Sequence, residues 1–502
     1  MKDTDKDNSY AHVLKYTGIF GGVQGLNIVV GIVRNKLVAL LLGPAGMGLV
    51  ALYTSVVNFL SQSTSLGISF SAVRHLSELS EADDDESRIR FVRVVRAWSI
   101  VAALLGMLVC VALGPLLSRE AFSGGDHTLH FLLLSPVIGM MALTGGETAI
   151  LKGCHRLQEL AVVQVLSVLA SLLISVPVYW CFGISGIVPV IALIAFAVMV
   201  STLFFSFRLY PLRLRGSLGV LGEGMEMIRL GVAFIASGIF TSGGEMVVRS
   251  FLNVAAGADV VGLYNAGYIL TITYAGLVFS AMETDYFPRL SAVNHDRAAA
   301  NLTANRQIEV SLLLIAPMLA FFIAALPLLI PLLYSGKFAP VVPMARLAVL
   351  SMYLKAVTLP VAYMTLARGH SLAYLLLEAA YAVVLVLFIM FGFDRWGLVG
   401  TGVALLAAHV FDFLMIYAYA GVRYGYRVSR PVLLYSLAQM PLGVGVYLTS
   451  YIRGDVLSLV AGCCIAAASL IISVAILYKK TSLWNRLKEK SLFKRRFFGN
   501  KG

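Results

Sequence analysis

Long apolar stretches separated by short polar segments run along almost the whole chain. A helix needs about 20 consecutive apolar residues to cross a bilayer, and about fourteen stretches reach that length. The predicted spans are 13–42, 46–70, 97–117, 129–150, 160–181, 186–207, 227–251, 260–283, 308–333, 343–366, 371–392, 397–420, 432–450 and 456–478. Glycine and proline, which interrupt helices, mark ends such as Gly43-Pro44 and Gly114-Pro115. The pattern predicts an all-α polytopic membrane protein.

Composition supports this fold class. Of the 502 residues, 59% are hydrophobic and only 13% are charged, which is too apolar for a soluble protein of this length. The five cysteines lie in or beside apolar stretches without the spacing of a metal site, so we expect unreactive thiols. The first apolar stretch follows the polar residues 1–12 without a cleavage-site pattern, which predicts a retained membrane helix.

Topology accounts for the net charge of +13. Lys and Arg crowd alternate loops, for example 88–96 and 208–215, and such basic loops face the cytoplasm. We therefore expect both termini in the cytoplasm and an even number of spans. The basic tail after residue 478 favours contact with anionic lipid headgroups over nucleic acid.

Two copies of one pattern indicate an internal duplication. The first is VGIVRNKLVALLLGPAGMGLVALY at 30–53 and the second is EMVVRSFLNVAAGADVVGLY at 245–264, with Arg34 and Arg249 at matching places. An even number of spans in each copy makes the repeats parallel, related by an axis along the membrane normal. The sequence therefore predicts two pseudo-symmetric lobes.

Later segments extend the duplication and set its limits. AILKGCHRLQ at 149–158 corresponds to TLARGHSLAY at 365–374, and each closes a span. The predicted domains are a six-helix lobe at 1–207, a basic cytoplasmic linker at 208–225, a second six-helix lobe at 226–425, two additional transmembrane helices at 426–478 and a basic cytoplasmic tail at 479–502.

Charges inside the spans are candidates for function, because a charge in hydrocarbon is costly and usually faces a protein interior or water-filled cavity. Arginines related by a repeat suggest a transporter whose halves present cations to one central cavity, which suits an anion. The predicted substrate-binding residues are the cations Arg34, Lys36, Arg249 and Lys355 and the polar residues Gln24, Asn27, Asn58, Gln62, Tyr264 and Tyr268. Snorkelling of the cations and polar packing between helices are the alternatives.

Acidic residues within the spans are candidates for coupling transport to H⁺ or Na⁺, because a buried carboxylate can bind either ion. These candidates are Glu147, Glu245, Glu378 and Asp412. Each is equally suited to a structural ion pair, and Glu245 stands one helical turn before Arg249. No other cofactor and no metal is expected.

The order of elements resembles the MOP transporter superfamily, with paired six-helix lobes, R-x(8)-G-x(9)-Y after the first span and D/E-x-x-x-R in the seventh. Within it, the segment 35–78 is similar to the polysaccharide flippases, the Wzx-type O-antigen translocases. This resemblance implies a monomeric flippase that moves undecaprenyl-diphosphate-linked oligosaccharide across the bacterial inner membrane by alternating access, beside polysaccharide polymerase machinery. It also implies that Arg34 matches a cavity arginine of the lipid II flippases, whose fourteen-span layout the two additional helices match.

Other function classes stay open. A lipid II-type flippase or a MATE-type antiporter would share the fold, although an antiporter of cations favours an anionic cavity where this chain repeats arginines. A membrane polymerase or ligase of sugar chains would carry catalytic groups on a large outer loop, but the longest predicted outer loops, 118–128 and 334–342, have only about ten residues. We therefore expect a transporter and not an enzyme.

Overall fold

The computed structural model describes residues 3–81, 85–122, 126–211 and 221–481, with side chains from residue 22 onward except at some positions, mostly between 221 and 285. Within these ranges the chain is almost entirely helical and contains no β-strand, so the predicted all-α class is confirmed. The helices are α1 Asp3–Thr64, α2 Ile68–Glu81, α3 Asp85–Ala121, α4 Thr128–Gly153, α5 Leu157–Phe182, α6 Ile187–Leu209, α7 Met225–Ala256, α8 Ala258–Tyr268, α9 Tyr274–Ala292, α10 Arg297–Leu333, α11 Val342–Ala367, α12 Ser371–Tyr424, α13 Arg430–Leu448 and α14 Asp455–Thr481. A π-helical turn, Ile269–Thr273, joins α8 to α9.

Ten helical stretches in the described residues are long and apolar enough to cross a membrane, which confirms a multi-pass membrane protein. Three of them, Gly22–Thr64, Leu157–Leu209 and Ser371–Tyr424, are 43, 53 and 54 residues long. A straight helix of that length would measure about 65 to 80 Å, at least twice the thickness of the hydrocarbon core. Each is divided by a glycine with a positive φ angle, so each has the length for two crossings. The count of fourteen spans stays a prediction.

The glycines that divide these helices recur at one interval along the chain. Gly43 interrupts α1 with φ 64°, and Gly257 separates α7 from α8 with φ 85°. Gly183 ends α5 with φ 54°, and Gly397 interrupts α12 with φ 57°. Glycine lacks a Cβ and adopts these angles without the steric penalty that other residues meet. The step from Gly43 to Gly257 equals the step from Gly183 to Gly397, as a duplication requires.

A third pair of turns corrects part of the motif alignment. His155 and Gly369 have φ angles of 56° and 74°, precede α5 and α12, and stand at that same interval. The alignment of 149–158 with 365–374 pairs Gly369 with Gly153 instead and is therefore wrong by two positions. The alignment paired two glycines because they are the same residue type. The turn that corresponds to Gly369 is made by His155 in the first copy. Histidine tolerates the left-handed conformation better than most residues.

The helices pack into two compact units, Met1–Asn265 with Pro331–Ala339 and Ala266–Ile330 with Pro340–Gly502. In the first unit, α2, α3, α4 and α7 share an apolar cluster that includes Leu76, Val95 and Ile150. These units divide the chain by packing, whereas the lobes at 1–207 and 226–425 divide it by repeat. The lobe boundaries stay a prediction.

Two glycines of the first unit bring α1 and α8 into backbone contact. A Cβ on Gly48 would lie 1.8 Å from the carbonyl oxygen of Ala258, and a Cβ on Gly262 would lie 1.9 Å from that of Pro44. The contact is reciprocal, because Gly48 and Gly262, like Pro44 and Ala258, are separated by the repeat interval. The duplicated segments therefore meet each other at a place where only glycine fits.

The second unit is organised around α10, α11 and α12. The Tyr353 hydroxyl of α11 donates a hydrogen bond of 2.9 Å to the Ala316 carbonyl of α10, and α11 packs along α12. The last two helices, α13 and α14, are joined by buried hydrogen bonds of Gln439 with Ser469 and Ser473. These hydrogen bonds are a polar link between two otherwise apolar helices, and they fix the register of α13 against α14.

Candidate functional site

Arg34 projects from α1 onto a polar pair of α5. Its Nε donates a hydrogen bond of 3.3 Å to the Ser175 hydroxyl, and Tyr179, one turn further along α5, lies within electrostatic range. The two terminal nitrogens of Arg34 make no hydrogen bond to the described part of the chain. The Tyr179 hydroxyl is buried and likewise has no partner among the described residues. Arg34 and Tyr179 therefore keep donors that an anion or a sugar hydroxyl can engage.

Arg249 is more deeply buried and is held between α7 and α8. Its side chain is 9% exposed, with Nη1 donating to Glu245 at 2.7 Å and Nη2 donating to Asn265 at 3.1 Å. Its Nε is also buried but has no hydrogen-bond partner among the described residues. A buried guanidinium normally satisfies its donors, since an unpaired one costs free energy. The free Nε marks a position where a ligand oxygen could sit.

The two arginines are not at equivalent positions, so the sequence expectation of matching places is wrong. Gly43 and Gly257 fix the register, and Arg34 stands nine residues before the first while Arg249 stands eight before the second. One residue turns a side chain by about 100° around a helix. This rotation gives the two arginines different partners, a serine of another helix and a carboxylate of the same helix.

Lys36, two residues after Arg34, contacts the end of α10. Its Nζ donates a hydrogen bond of 3.0 Å to the Pro331 carbonyl, in the last turn of that helix. Carbonyls at a helix C-terminus carry partial negative charge and attract cations. In this structure Lys36 is therefore engaged as a helix-end cation.

The predicted polar stripe follows the second half of α1, beside α7. Asn58 and Gln62 are exposed, and their side-chain amides make no hydrogen bond within the described residues. The Gln62 Oε1 lies 3.4 Å from where a Cβ of Gly238 would stand, and the Phe59 ring lies beside Gly243. Unpaired amides are costly in hydrocarbon, so an exposed pair on a membrane helix indicates contact with water rather than with lipid.

The remaining polar candidates occupy different environments. Gln24 is exposed and accepts a hydrogen bond of 3.2 Å from the Asn27 amide, one turn along α1. On α8, Tyr264 is buried and Tyr268 is half-buried. Only Gln24 among these four has the exposure that direct contact with a large substrate requires in the conformation described.

Lys355, Glu378 and Asp412 line one cavity of about 410 Å³ in the second unit. The cavity lies between α11, both halves of α12 and the segment that follows the π-helical turn. Its polar lining is completed by Thr273, Ser280, Thr358, Tyr374, Tyr381 and His409. The structure therefore groups one predicted substrate-binding cation with two predicted ion-coupling acids, which the sequence motifs did not do. π-Helical turns are frequent at functional sites, and this one adjoins the cavity.

The other two acidic candidates are paired. Glu147 of α4 is buried and receives two hydrogen bonds from Arg96 of α3, at 2.8 and 3.2 Å, and a third from Ser206 of α6. Glu245 pairs with Arg249 and remains partly exposed. This geometry favours the ion-pair alternative for Glu147, whereas Glu245 keeps access to solvent.

Ser175, Tyr179, Asn265 and His409 lie at these sites but were not among the sequence candidates. Ser175 and Tyr179 stand at i and i+4 on α5, and Ser167 and Ser171 precede them at the same spacing, which places all four on one face. Their pattern is as clear as that of Asn58 and Gln62, and the missing information was which helix faces Arg34. That information comes from tertiary packing.

A family model described as "Polysaccharide biosynthesis protein" matches residues 37–343 of the chain. No curated protein matches the sequence.

Several solved structures match at least 80% of the chain. The lipid II flippase MurJ in an inward closed conformation superposes with a TM-score of 0.70 at 14% identity, covering 92% of this chain and 98% of its own. An inward-facing multidrug resistance MATE family transporter of the MOP superfamily gives a TM-score of 0.68 at 16% identity, covering 80% and 94%. A MOP superfamily transporter from Pyrococcus furiosus gives 0.56 at 15% identity, covering 81% and 93%. At these identities the likeness shows a shared fold.

Proposed function

Because the chain belongs to the polysaccharide biosynthesis protein family and shares its fold with MOP superfamily transporters, we propose that it is a flippase that translocates an undecaprenyl-diphosphate-linked oligosaccharide. The glycan would be the repeat unit of O-antigen or another surface polysaccharide. Export would run across the bacterial inner membrane by alternating access, in a monomer with both termini in the cytoplasm and polymerase machinery as a possible partner. The coupling ion in this proposal is H⁺ or Na⁺.

The free Nε of buried Arg249 is the observation that carries the proposal. A lipid-linked diphosphate brings negative charge into a membrane, and guanidinium groups suit phosphate because they stay charged and donate in parallel. Arg34 adds two terminal nitrogens that are free within the described residues. Exposed amides of Asn58 and Gln62 would supply hydrogen bonds for the sugars.

Translocation of a defined undecaprenyl-diphosphate-linked glycan in proteoliposomes tests this proposal. We expect Arg34→Ala and Arg249→Ala each to lower the initial rate at least about tenfold, since each removes a cation that an anion in a low-dielectric site needs. Arg34→Lys should retain more activity, because the charge survives while the forked geometry is lost. Arg453→Ala, at an exposed outer position, is the matched control and should keep the full rate.

The pair Glu245 and Arg249 separates binding from mere charge neutralisation. If Arg249 only compensates Glu245, the double variant Glu245→Gln with Arg249→Gln leaves no unpaired charge and should restore transport. If Arg249 binds the diphosphate, the double variant stays inactive although it is inserted and folded. We expect inactivity. Full transport by the double variant and by Arg34→Ala would contradict the anion-binding mechanism.

A second candidate is a MATE-type cation antiporter, favoured by the two carboxylates that line the cavity of the second unit. The same proteoliposomes loaded with a lipophilic cation distinguish it. Cation efflux that depends on Glu378 and Asp412, without glycolipid transfer, would favour the antiporter. A lipid II-type flippase would instead transfer undecaprenyl-diphosphate-linked muropeptide in preference to the oligosaccharide.

A further inference from the structure

Lys355 gives the cavity of the second unit an unusual charge composition. Its ammonium lies within electrostatic range of both Glu378 and Asp412 and 5.9 Å from the centroid of the Phe279 ring. The walls therefore carry two carboxyl groups and one amino group of a lysine. Among the described residues, the other titratable groups that face it are His409 and Tyr381 on α12, and Tyr374, whose hydroxyl donates to Glu378.

His409 is oriented by its own helix. Its Nδ1 donates to the Leu405 carbonyl at 2.8 Å, and the Tyr381 hydroxyl lies 3.4 Å from Nδ1 and 3.5 Å from Nε2. The ring is buried, where a neutral imidazole costs less free energy than a charged one. It adds no positive charge, so Lys355 alone balances the carboxylates among the described residues of the cavity.

The other copy of the repeat shows that the fold does not need these charges. At the repeat interval, Met141 corresponds to Lys355, Gln164 to Glu378, Ala195 to His409 and Val198 to Asp412. All four counterparts are uncharged, and α4 and α5 begin at the same interval before α11 and α12. Four ionisable groups placed in one copy only, around one cavity, indicate a task that belongs to this copy.

The ammonium determines which ion such a site can hold. A bare alkali cation in a membrane protein needs several oxygen ligands, and a nearby positive charge disfavours it. The Lys355 ammonium already places a positive charge within electrostatic range of both carboxylates, and it repels any second cation in the same low-dielectric cavity. A proton meets no such exclusion, because it adds to a carboxylate oxygen and leaves the ammonium in place.

We propose that Lys355 is a built-in counter-cation that closes this cavity to sodium and leaves the Glu378–Asp412 pair to bind a proton. In this step a proton from water bonds to one carboxylate oxygen of the pair, and Lys355 stays protonated throughout. The role of this proton as the coupling ion rests on the proposed flippase function. The ion selectivity of the site itself does not.

Sodium binding to the purified protein in lipid nanodiscs tests the role of Lys355. We expect no saturable binding of radioactive ²²Na⁺ to the wild type. Lys355→Met introduces the residue found in the other copy and should gain saturable binding, at least about tenfold tighter than any wild-type signal, because an opposing charge has gone. The double variant Lys355→Met with Glu378→Gln is the control and should lose the gained binding.

Infrared difference spectroscopy between acidic and neutral pH tests whether the Glu378–Asp412 pair binds a proton. We expect a protonated-carboxyl C=O band that disappears in Glu378→Gln or Asp412→Asn. Saturable wild-type sodium binding that Asp412→Asn abolishes, or a folded Lys355→Met variant that binds no sodium, would overturn the proposal. If Lys355→Met does not fold, the wild-type sodium and infrared measurements decide. Both arms record binding, so absent glycolipid transport would refute the proposed function and leave this inference standing.

Discussion

A buried carboxylate such as Glu147 can bind a transported ion or form a structural ion pair, and the groups around it determine which. Glu147 receives two hydrogen bonds from Arg96, whose guanidinium also stacks on the Phe207 ring with 4.6 Å between Cζ and the ring centroid. The Ser206 hydroxyl satisfies the same carboxylate. These hydrogen bonds occupy most acceptor positions of the Glu147 carboxylate, so few remain for a transported ion. We therefore expect Glu147 to contribute to the stability of the fold and not to transport.

Neutralising Glu147 should therefore unfold the protein more easily without changing its ion dependence. Glu147→Gln leaves Arg96 buried and unpaired, which costs about 3 to 5 kcal/mol in comparable pairs. Thermal unfolding in detergent should show a lower midpoint, while the response of transport to proton and sodium gradients stays that of the wild type. Loss of gradient dependence in a variant of unchanged stability would return Glu147 to the ion-coupling candidates.

For the Tyr179 hydroxyl we expect the opposite result: its removal should affect transport and leave stability unchanged. It is buried and unpaired within the described residues, so Tyr179→Phe removes no hydrogen bond and should change the free energy of unfolding by less than about 0.5 kcal/mol. If it serves the substrate together with Arg34, glycolipid transport should fall severalfold through a higher KM. An unchanged KM would assign Tyr179 to packing alone.

The sequence was informative about which residue types carry function and less so about their partners. Arg34, Arg249 and the exposed amides were visible because polar groups stand out in apolar helices. The grouping of Lys355 with Glu378 and Asp412 was not visible, since it depends on how α11 and the two halves of α12 meet. Helix contacts in a membrane are made by side-chain packing, which leaves no periodic mark in the sequence.

At the scale of elements, the helix breaks depend on glycine conformation. Gly43→Ala and Gly257→Ala place a Cβ on residues with φ of 64° and 85°. Each should destabilise the protein by about 1 to 3 kcal/mol, because these φ angles are combined with ψ angles of −171° and 172°, a region essentially limited to glycine. Gly31→Ala is the matched control: it lies in a regular part of α1 with nothing within 4 Å of the new Cβ, and should be neutral or slightly stabilising. Unfolding midpoints in detergent measure all three, and equal effects would contradict this account.

The repeat itself was found from sequence, but its register was not. Letter matches placed Arg34 opposite Arg249 and Gly153 opposite Gly369, while the backbone turns show shifts of one and two positions. A turn of this kind requires a positive φ angle, which both glycine and histidine adopt in this chain. The register of the repeat is therefore defined by backbone angles, and matching residue types identify it only indirectly.

Cysteine labelling tests the topology at the scale of the whole molecule. In a variant without the five native cysteines, Asp394→Cys beside the kink of α12 should react with an impermeant thiol reagent in intact cells. His295→Cys, between α9 and α10, should react only after permeabilisation. Both side chains are exposed in the structure, so access to reagent decides the result. The expectation follows from the excess of Lys and Arg on the predicted cytoplasmic side. The reverse pattern would invert the topology.

The glycine contact between α1 and α8 has a consequence for how this chain can diverge. After a duplication, each copy is ordinarily free to accumulate changes that the other does not share. Here Gly48 makes room for a carbonyl of the second copy, and Gly262 makes room for a carbonyl of the first. Neither copy can lose its glycine without displacing the other, so the two positions are inherited as a pair. A chimera that joins one copy to a relative's other copy should fold only where the relative also has glycine at this place.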